Sequence, residues 1–339
     1  MDIAAYSAAL PAAVMATVIV SVGSTDGVLT TATVLRTMAV ENPSVVFTQA
    51  FQVHQLDPTT WGEPGQRVVF VDLAVNNGNE EMTEEFVRRI VEAGHVLVGI
   101  VDEHDAAAWR RVLGKVSIDF ESLLVKPMTA TSSGAVLYSF LGAALMRAAD
   151  MADGGVFGQK DGTLQERIAW YTNAPIKAAA FDNRRREYIT RHFALHTEPD
   201  EIIIGWAEEY EEMERNLPIL LHAAIVEKDL VTIDARGKRI DATAVMKAGY
   251  ALGTVVHLLH DHQPGHSFGV NQDAGIDILT LLRGAGIQCT GFALKANVAD
   301  EHAEAAVVAV QRLRDSLLLL SERETSGAPL NRGARCWHV

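Results

Sequence analysis

The chain has 339 residues, 43 of them acidic against 29 basic, for a formal charge of −14. That balance excludes a broad basic surface for a long nucleic-acid duplex, and it leaves a short nucleotide or a metal-bound phosphate open. An apolar fraction of 48% supports packed cores, and a chain of this length is expected to divide into two domains. Two cysteines, Cys289 and Cys336, cannot form a disulfide framework and point to a reducing compartment. The apolar run Ala12–Val22 lacks a basic flank and is too short to span a bilayer. The expectation is a soluble, cytoplasmic protein with no membrane partner.

Taken in order, Thr17–Val22 reads as a buried strand, followed by the turn Gly23–Gly27 and helical spacing over Val28–Met38. Val45–Val53 is a second strand ending near His54 and Asp57, and Arg67–Val71 a third ending at Asp72. Thr83–Ala93 is an amphipathic helix. Val96–Val101 is a fourth strand that runs straight into Asp102, Glu103, His104 and Asp105. Strand and helix alternating at this spacing predict βαβ units and a parallel sheet. Thr129–Ala149 reads as one long apolar helix opened by hydroxyls at Thr129, Thr131, Ser132 and Ser133. Residues 162–216 read as helical, with Arg184–Arg186 a basic run on a solvated face and Glu208–Glu214 an acidic one. The boundary between domains is expected in Glu198–Leu217, giving a domain over 1–200 with its helical connector, a second over 217–320, and a polar tail over 321–339. In the second part Ile219–Val226, Leu230–Asp234, Gly253–Leu259, Phe268–Asn271 and Cys289–Leu294 read as strands. Ala242–Ala251, Gly275–Arg283 and His302–Leu320 read as helices, Gly284–Gly286 as a glycine turn, and Cys289 as a small core residue in mid-strand.

Acidic groups stand at three strand ends of the first part: Asp26, Asp72 and the Asp102–Asp105 cluster, with Asp150 and Asp153 after the long helix. Parallel strands bring such ends to one edge, where ligands of open α/β sheets collect. Like charges gathered there are costly unless a cation neutralises them. A divalent metal would do so and could activate a water toward a phosphoryl group. The plainer reading of residues 102–105 is a polar loop in which Asp105 caps the helix from Ala106. His260, His262 and His266 have a spacing that could hold a metal, or they form a polar loop; Gly265–Ser267 could also contact a phosphate between the domains.

The order of these features resembles the DHH phosphoesterase superfamily, which includes RecJ-type exonucleases, small oligonucleotide nucleases, cyclic-dinucleotide phosphodiesterases and inorganic pyrophosphatases. Val18–Gly27 (VIVSVGSTDG) is similar to its first motif, Val69–Leu73 (VFVDL) to the second, Ile100–Asp105 (IVDEHD) to the third and Ala148–Gly154 (AADMADG) to the fourth. Residues 269–292 (GVNQDAGIDILTLLR, then RGAGIQCTGF) resemble the glycine-rich end of the associated substrate-binding domain. The resemblance implies an α/β protein: a parallel-sheet DHH-like domain and a smaller α/β DHHA1-like domain, with an active-site cleft between them.

It also implies residue roles. Asp26, Asp72, His104 and either Asp153 or Asp150 would hold Mn²⁺ or Mg²⁺. Asp72, His104 and Asp102 would be catalytic, with Asp102 orienting His104. Gly284, Gly286, His266 and Asn271 would contact the substrate. The departures are specific: Val20 or Val22 stands where the family has a histidine, Ser24 at its first aspartate, Glu103 at the middle of D-H-H, Ala285 and Gly286 at the last glycine and histidine, and Asn271 at a basic residue. The implied inventory is one metal ion or none, with Glu103, His54 and Asp57 as substitute ligands. Two functions follow: metal-dependent hydrolysis of a short oligonucleotide or small phosphate-containing ligand, or a catalytically inactive relative acting as a homodimer or with a protein partner.

Overall fold

The computed structural model describes residues 16–37, 42–76, 79–137, 143–180, 182–261 and 265–325. The chain divides into two compact units between Tyr210 and Glu211, inside the helix Glu201–His222.

The first unit is built on four parallel strands, β1 (Val18–Val22), β2 (Ser44–Thr48), β3 (Arg67–Val71) and β4 (Val96–Val101), in the order β2-β1-β3-β4. The strands are predominantly apolar because both faces are covered. Val18, Val20, Val68, Phe70, Leu97 and Ile100 face helices α2 (Glu80–Glu92) and α3 (Ala106–Lys115) through Phe86, Ile90, Trp109 and Leu113. Phe70 lies between Phe86 and Trp109, with ring centroids 5.7 Å away on each side. Ile19, Val69, Val71, Val98 and Val101 face the opposite layer, which includes α1 (Thr25–Thr37), α4 (Ser133–Val136) and α5 (Ala143–Asp153). Behind α1 pack α6 (Leu164–Ala178), α7 (Asn183–Leu195) and the first turns of α8 (Glu201–His222), through Ile168, Ile189, Phe193 and Ile203.

In this strand order the connection out of β1 turns one way to β2, whereas β3 and β4 lie on its other side. The edge between β1 and β3 is therefore the topological switch point, where open α/β sheets leave a crevice at the carboxyl ends of their strands.

Two expectations fail here. The strand over Val45–Val53 stops at Thr48, and Val53–Gln55 is a 3-10 turn. The single long helix over Thr129–Ala149 is two segments, α4 and α5, with 138–142 outside the described residues. A Cβ added at Gly134 would sit 2.7 Å from the Ala149 Cβ. In one straight helix those positions would be about 22 Å apart, so the chain doubles back between them.

The second unit carries a six-stranded mixed sheet in the order β5-β6-β7-β8-β10-β9. Its strands are β5 (Ile225–Glu227), β6 (Leu230–Asp234), β7 (Val255–Leu259), β8 (His266–Val270), β9 (Cys289–Phe292) and β10 (Lys295–Val298). Its helices are α9 (Ala242–Gly249), α10 (Ile278–Gly284) and α11 (Asp300–Thr325). Of these strands only β6 and β7 pair in parallel. The first half of the strand expected over Ile219–Val226 is the end of α8, whose Leu220 is buried in this unit's core, and only Ile225 and Val226 are strand, in β5. Strand β10 escapes sequence reading because only Ala296 and Val298 of its four residues turn inward. Cys289 opens β9 half-buried instead of sitting in mid-core. Ser321–Thr325 belong to α11, and the rest of the expected tail lies outside the described residues. Among the described residues, no helix is long and apolar enough to cross a membrane.

Candidate active site

Three strand ends and one helix end supply the site. Asp72 is the first residue past β3 and keeps its backbone N–H on Val101 O of β4 at 2.8 Å. Its φ is +54°, the left-handed region that few side chains other than Asn and Asp tolerate. Strain of that kind persists only where surrounding contacts hold it, and functional sites are its usual address. Here the contacts are two hydroxyls: Ser24 Oγ donates to Oδ2 at 2.9 Å and Ser133 Oγ approaches Oδ1 at 3.1 Å.

Ser24 and Asp26 stand at the start of α1, immediately after β1. Gly27 is required there by space: a Cβ would meet Val22 O at 2.4 Å and Asp72 Oδ2 at 2.8 Å. The Asp26 and Asp72 carboxyls share a hydrogen bond, and both are buried. Burial, then the charges of Asp26 and Glu103, push the Asp72 carboxyl well above the usual carboxylate range.

Past β4, Asp102 is fully buried. Its Oδ1 takes the His104 Nδ1 proton at 2.7 Å, and its Oδ2 takes the Trp109 indole N–H at 3.0 Å. With both oxygens engaged, Asp102 orients the imidazole. His104 Nε2 has no partner among the described residues, and the side chain is 49% exposed. The Asp102 hydrogen bond, followed by the charges of Asp102, Glu103 and Asp153, raises His104 from 6.5 to about 9. Glu103 bonds the Ser133 hydroxyl and lies 3.1 Å from His104 Nδ1. At the end of α5, Asp153 is raised to about 6 by partial burial and by the charges of Asp26 and Glu103. Asp150 adds to that effect and makes no resolved approach of its own to the other acids. Asp105 caps α3 by accepting from Ala107 N at 2.8 Å, so the polar-loop reading and the acidic site hold together.

Asp72, Asp102, Glu103 and His104 each bring a ligand atom within 4.8 Å of the others. A donor set of carboxylate oxygens with one imidazole nitrogen suits a hard divalent cation. Asp72 and Asp153 stay raised although the His104 imidazole opposes the rise at Asp153, so the acids outweigh that one cation, and a divalent cation would offset the excess.

The other expected positions separate. His54 is exposed, and Asp57 caps a 3-10 turn through Thr59. His266, at the start of β8, bonds His257 Nε2 at 2.8 Å and lies 3.3 Å from Asp300. Asn271, just past the end of β8, caps the following turn through Asp273 N. One residue opens this five-residue strand and the other follows it, roughly 16 Å away. They cannot grip one phosphate together. Gly284 closes α10 and leads into the expected turn, with Gly286 at φ +79°, and Gly286 rims a cavity of about 580 Å³ with Arg283, Thr290, Asn297 and His302. His260 Nε2 meets Ser267 Oγ at 3.0 Å and does not share a ligand point with His266; His262 lies outside the described residues.

Trp109 and Arg186 are the residues that sequence reading misses. Arg186 sits in the run read as a solvated face, yet it is buried and bonds Gly23 O at 2.8 Å. Arg185 pairs with Glu209 at 3.1 Å and covers the Trp206 ring.

No protein-family model matches this sequence, and no curated protein is similar to it. Solved structures are. The pGpG-specific phosphodiesterase PggH of Vibrio cholerae matches with a TM-score of 0.55 at 14% identity, over 88% of this chain and 99% of that one. A manganese-bound exonuclease RecJ matches with a TM-score of 0.55 at 14% identity, over 90% and 94% of the two chains. RecJ of Thermus thermophilus in complex with Mn²⁺ gives 0.54 at 16% identity, over 91% of this chain and 54% of that longer one. The chain therefore has the mixed α/β fold of the DHH phosphoesterases, with its parallel four-stranded sheet. Within that class the likeness to PggH runs almost end to end, at an identity that speaks for fold alone.

Proposed function

We propose that the strand-end cluster is a one-metal phosphodiesterase site acting on a short oligonucleotide or small nucleotide. The observation that carries it is Asp72, buried and held at positive φ beside Asp26, Glu103 and the oriented His104. Asp72 and His104 would be the primary ligands, with Asp26 and Asp153 completing the set. A bound Mn²⁺ or Mg²⁺ would polarise a phosphoryl oxygen and acidify a water. Asp102 holds the Nδ1 proton so that Nε2 presents a lone pair, and Trp109 holds Asp102. The Ser133 hydroxyl donates to Glu103 beside the cluster. The neighbours' names support the substrate class: one is a pGpG-specific phosphodiesterase, and another is the exonuclease RecJ.

Ser24 in place of an acid, and valine in place of the first histidine, favour the second reading, a relative that binds without turning over. Release of mononucleotides from di- to pentanucleotides with Mn²⁺ separates the two. Turnover by the wild type that is lost in Asp72→Asn supports the proposal. No turnover with either metal, or equal turnover in the variant, refutes it.

A further inference from the structure

A second cavity, of about 200 Å³, lies between the end of β2 and helix α7. Its floor is Arg186, whose Nε donates to Gly23 O at 2.8 Å, Nη1 to Asn183 Oδ1 at 2.9 Å and Nη2 to Ala180 O at 2.5 Å. Three of the five guanidinium donors are used, which leaves two N–H groups for a ligand. Burial holds the guanidinium below its ordinary value, so it gains by meeting an anion. The walls are Thr48, Gln49, Gln52 and Asn183. The side-chain amides of Gln49 and Gln52 have no partner among the described residues. At the mouth, Phe51 is 60% exposed and has no aromatic neighbour among the described residues.

A fixed cation, free amides and an open aromatic face are the parts that bind a nucleotide: phosphate to guanidinium, base edge to amide, base face to ring. The volume lies below the roughly 300–1,000 Å³ of pockets for drug-sized ligands, so the cavity encloses only part of one nucleotide, with the base outside it against the exposed Phe51. The cavity and the acidic cluster are adjacent along the chain: Gly23 lines the cavity, and the next residue, Ser24, bonds Asp72. Gly23 also admits no side chain, since a Cβ would lie 2.5 Å from Arg186 Nε.

We infer that this cavity is a subsite for a single nucleotide unit, its phosphate on Arg186 and its base against Phe51. The inference deepens the phosphodiesterase reading, on which it rests for the idea that the substrate is a nucleotide at all.

The test is calorimetric binding of AMP, adenosine and inorganic phosphate to the full chain in EDTA, where the acidic cluster holds no metal. AMP is expected to bind at least tenfold more tightly than either fragment. Phe51→Ala, at an exposed position, is expected to weaken AMP on the order of tenfold with an unchanged melting temperature. Gln52→Ala should weaken AMP and leave phosphate alone. Arg186→Lys should weaken both AMP and phosphate; because Arg186 is buried, its reading counts only if the variant melts as a cooperative unit, and Phe51→Ala decides otherwise. No AMP binding, phosphate binding as tightly as AMP, or AMP affinity unchanged in Phe51→Ala overturns the inference. Turnover with Mn²⁺ is measured separately: AMP binding with no turnover leaves the subsite standing while the phosphodiesterase reading fails, and turnover without AMP binding does the reverse.

Discussion

The Ser24 hydroxyl donates to Asp72 Oδ2 at 2.9 Å, so a neutral donor stands where the resembled motif carries an acid. The exchange removes one negative charge from a buried cluster in which Asp26 and Glu103 already disfavour the ionised Asp72. It relieves the metal-free fold and weakens the hold on a cation. Ser24→Asp is therefore expected to destabilise the metal-free protein by roughly 1–2 kcal/mol. Affinity for Mn²⁺ should rise about tenfold, as added ligand charge tightens such sites. Thermal melts with and without Mn²⁺ check both. A variant that melts like the wild type in both conditions would mean Ser24 does not face the cluster.

Asp72→Asn keeps the shape of the side chain and tolerates the same left-handed backbone. It deletes the charge that burial and two neighbouring acids oppose. The metal-free variant should melt higher than the wild type, while the stabilisation by Mn²⁺ and any turnover disappear. Stability gained as function is lost is the expected trade at a strained site. Differential scanning calorimetry in EDTA and in Mn²⁺ reads it directly, and a lower melting temperature in EDTA would contradict the charge argument.

Trp109 is the buried anchor of Asp102. Trp109→Phe keeps most of the ring packing against Phe70 and deletes the N–H, leaving one oxygen of a buried carboxylate without its donor. That costs about 1–3 kcal/mol. If the anchor positions His104, turnover falls about 10- to 100-fold, the scale seen when partners of metal ligands are removed. The His104 titration, followed by NMR, should shift as well. A loss of stability with unchanged turnover and titration would assign Trp109 to packing alone.

Most of the first sheet is legible in the sequence because β1, β3 and β4 are mainly apolar runs with acids at or a few residues past their ends, and those strand ends do meet at one edge. Asp72 and His104 are legible for the same reason. Trp109 is not, since an indole at that spacing in a helix reads as core, and only the fold turns its N–H toward Asp102. Arg186 reads as solvated because neighbouring charges in a helix usually are; its burial depends on Gly23, more than 160 residues away in the chain. Serines carry no charge to betray them, so Ser24 reads as a plain loss until the fold sets its hydroxyl on Asp72. The second unit is harder because its strands are short and mostly antiparallel, and β10 offers only two inward residues.

The pH dependence of the metal-free protein has a definite sign. Asp153 titrates near 6 in the folded chain against an ordinary 3.8, and His104 near 9 against 6.5. A group raised on folding stabilises fully below its unfolded value and loses that contribution as pH rises through its folded value. Asp153 therefore costs stability between about pH 4 and 6, and His104 between about 6.5 and 9. Surface carboxylates such as Glu80 and Asp277, which are lowered, act oppositely and only in acid. The cluster's share is thus isolated by difference: Asp153→Asn should flatten the melting temperature over the first window and His104→Gln over the second. A cation competes with these protons, so its stabilisation should grow across both windows. Binding of Mn²⁺ at pH 7 should release the His104 proton, measured by titrating in buffers of different ionisation enthalpy. A metal-induced shift in melting temperature that stays constant from pH 5 to pH 9 would place the bound ion away from Asp153 and His104.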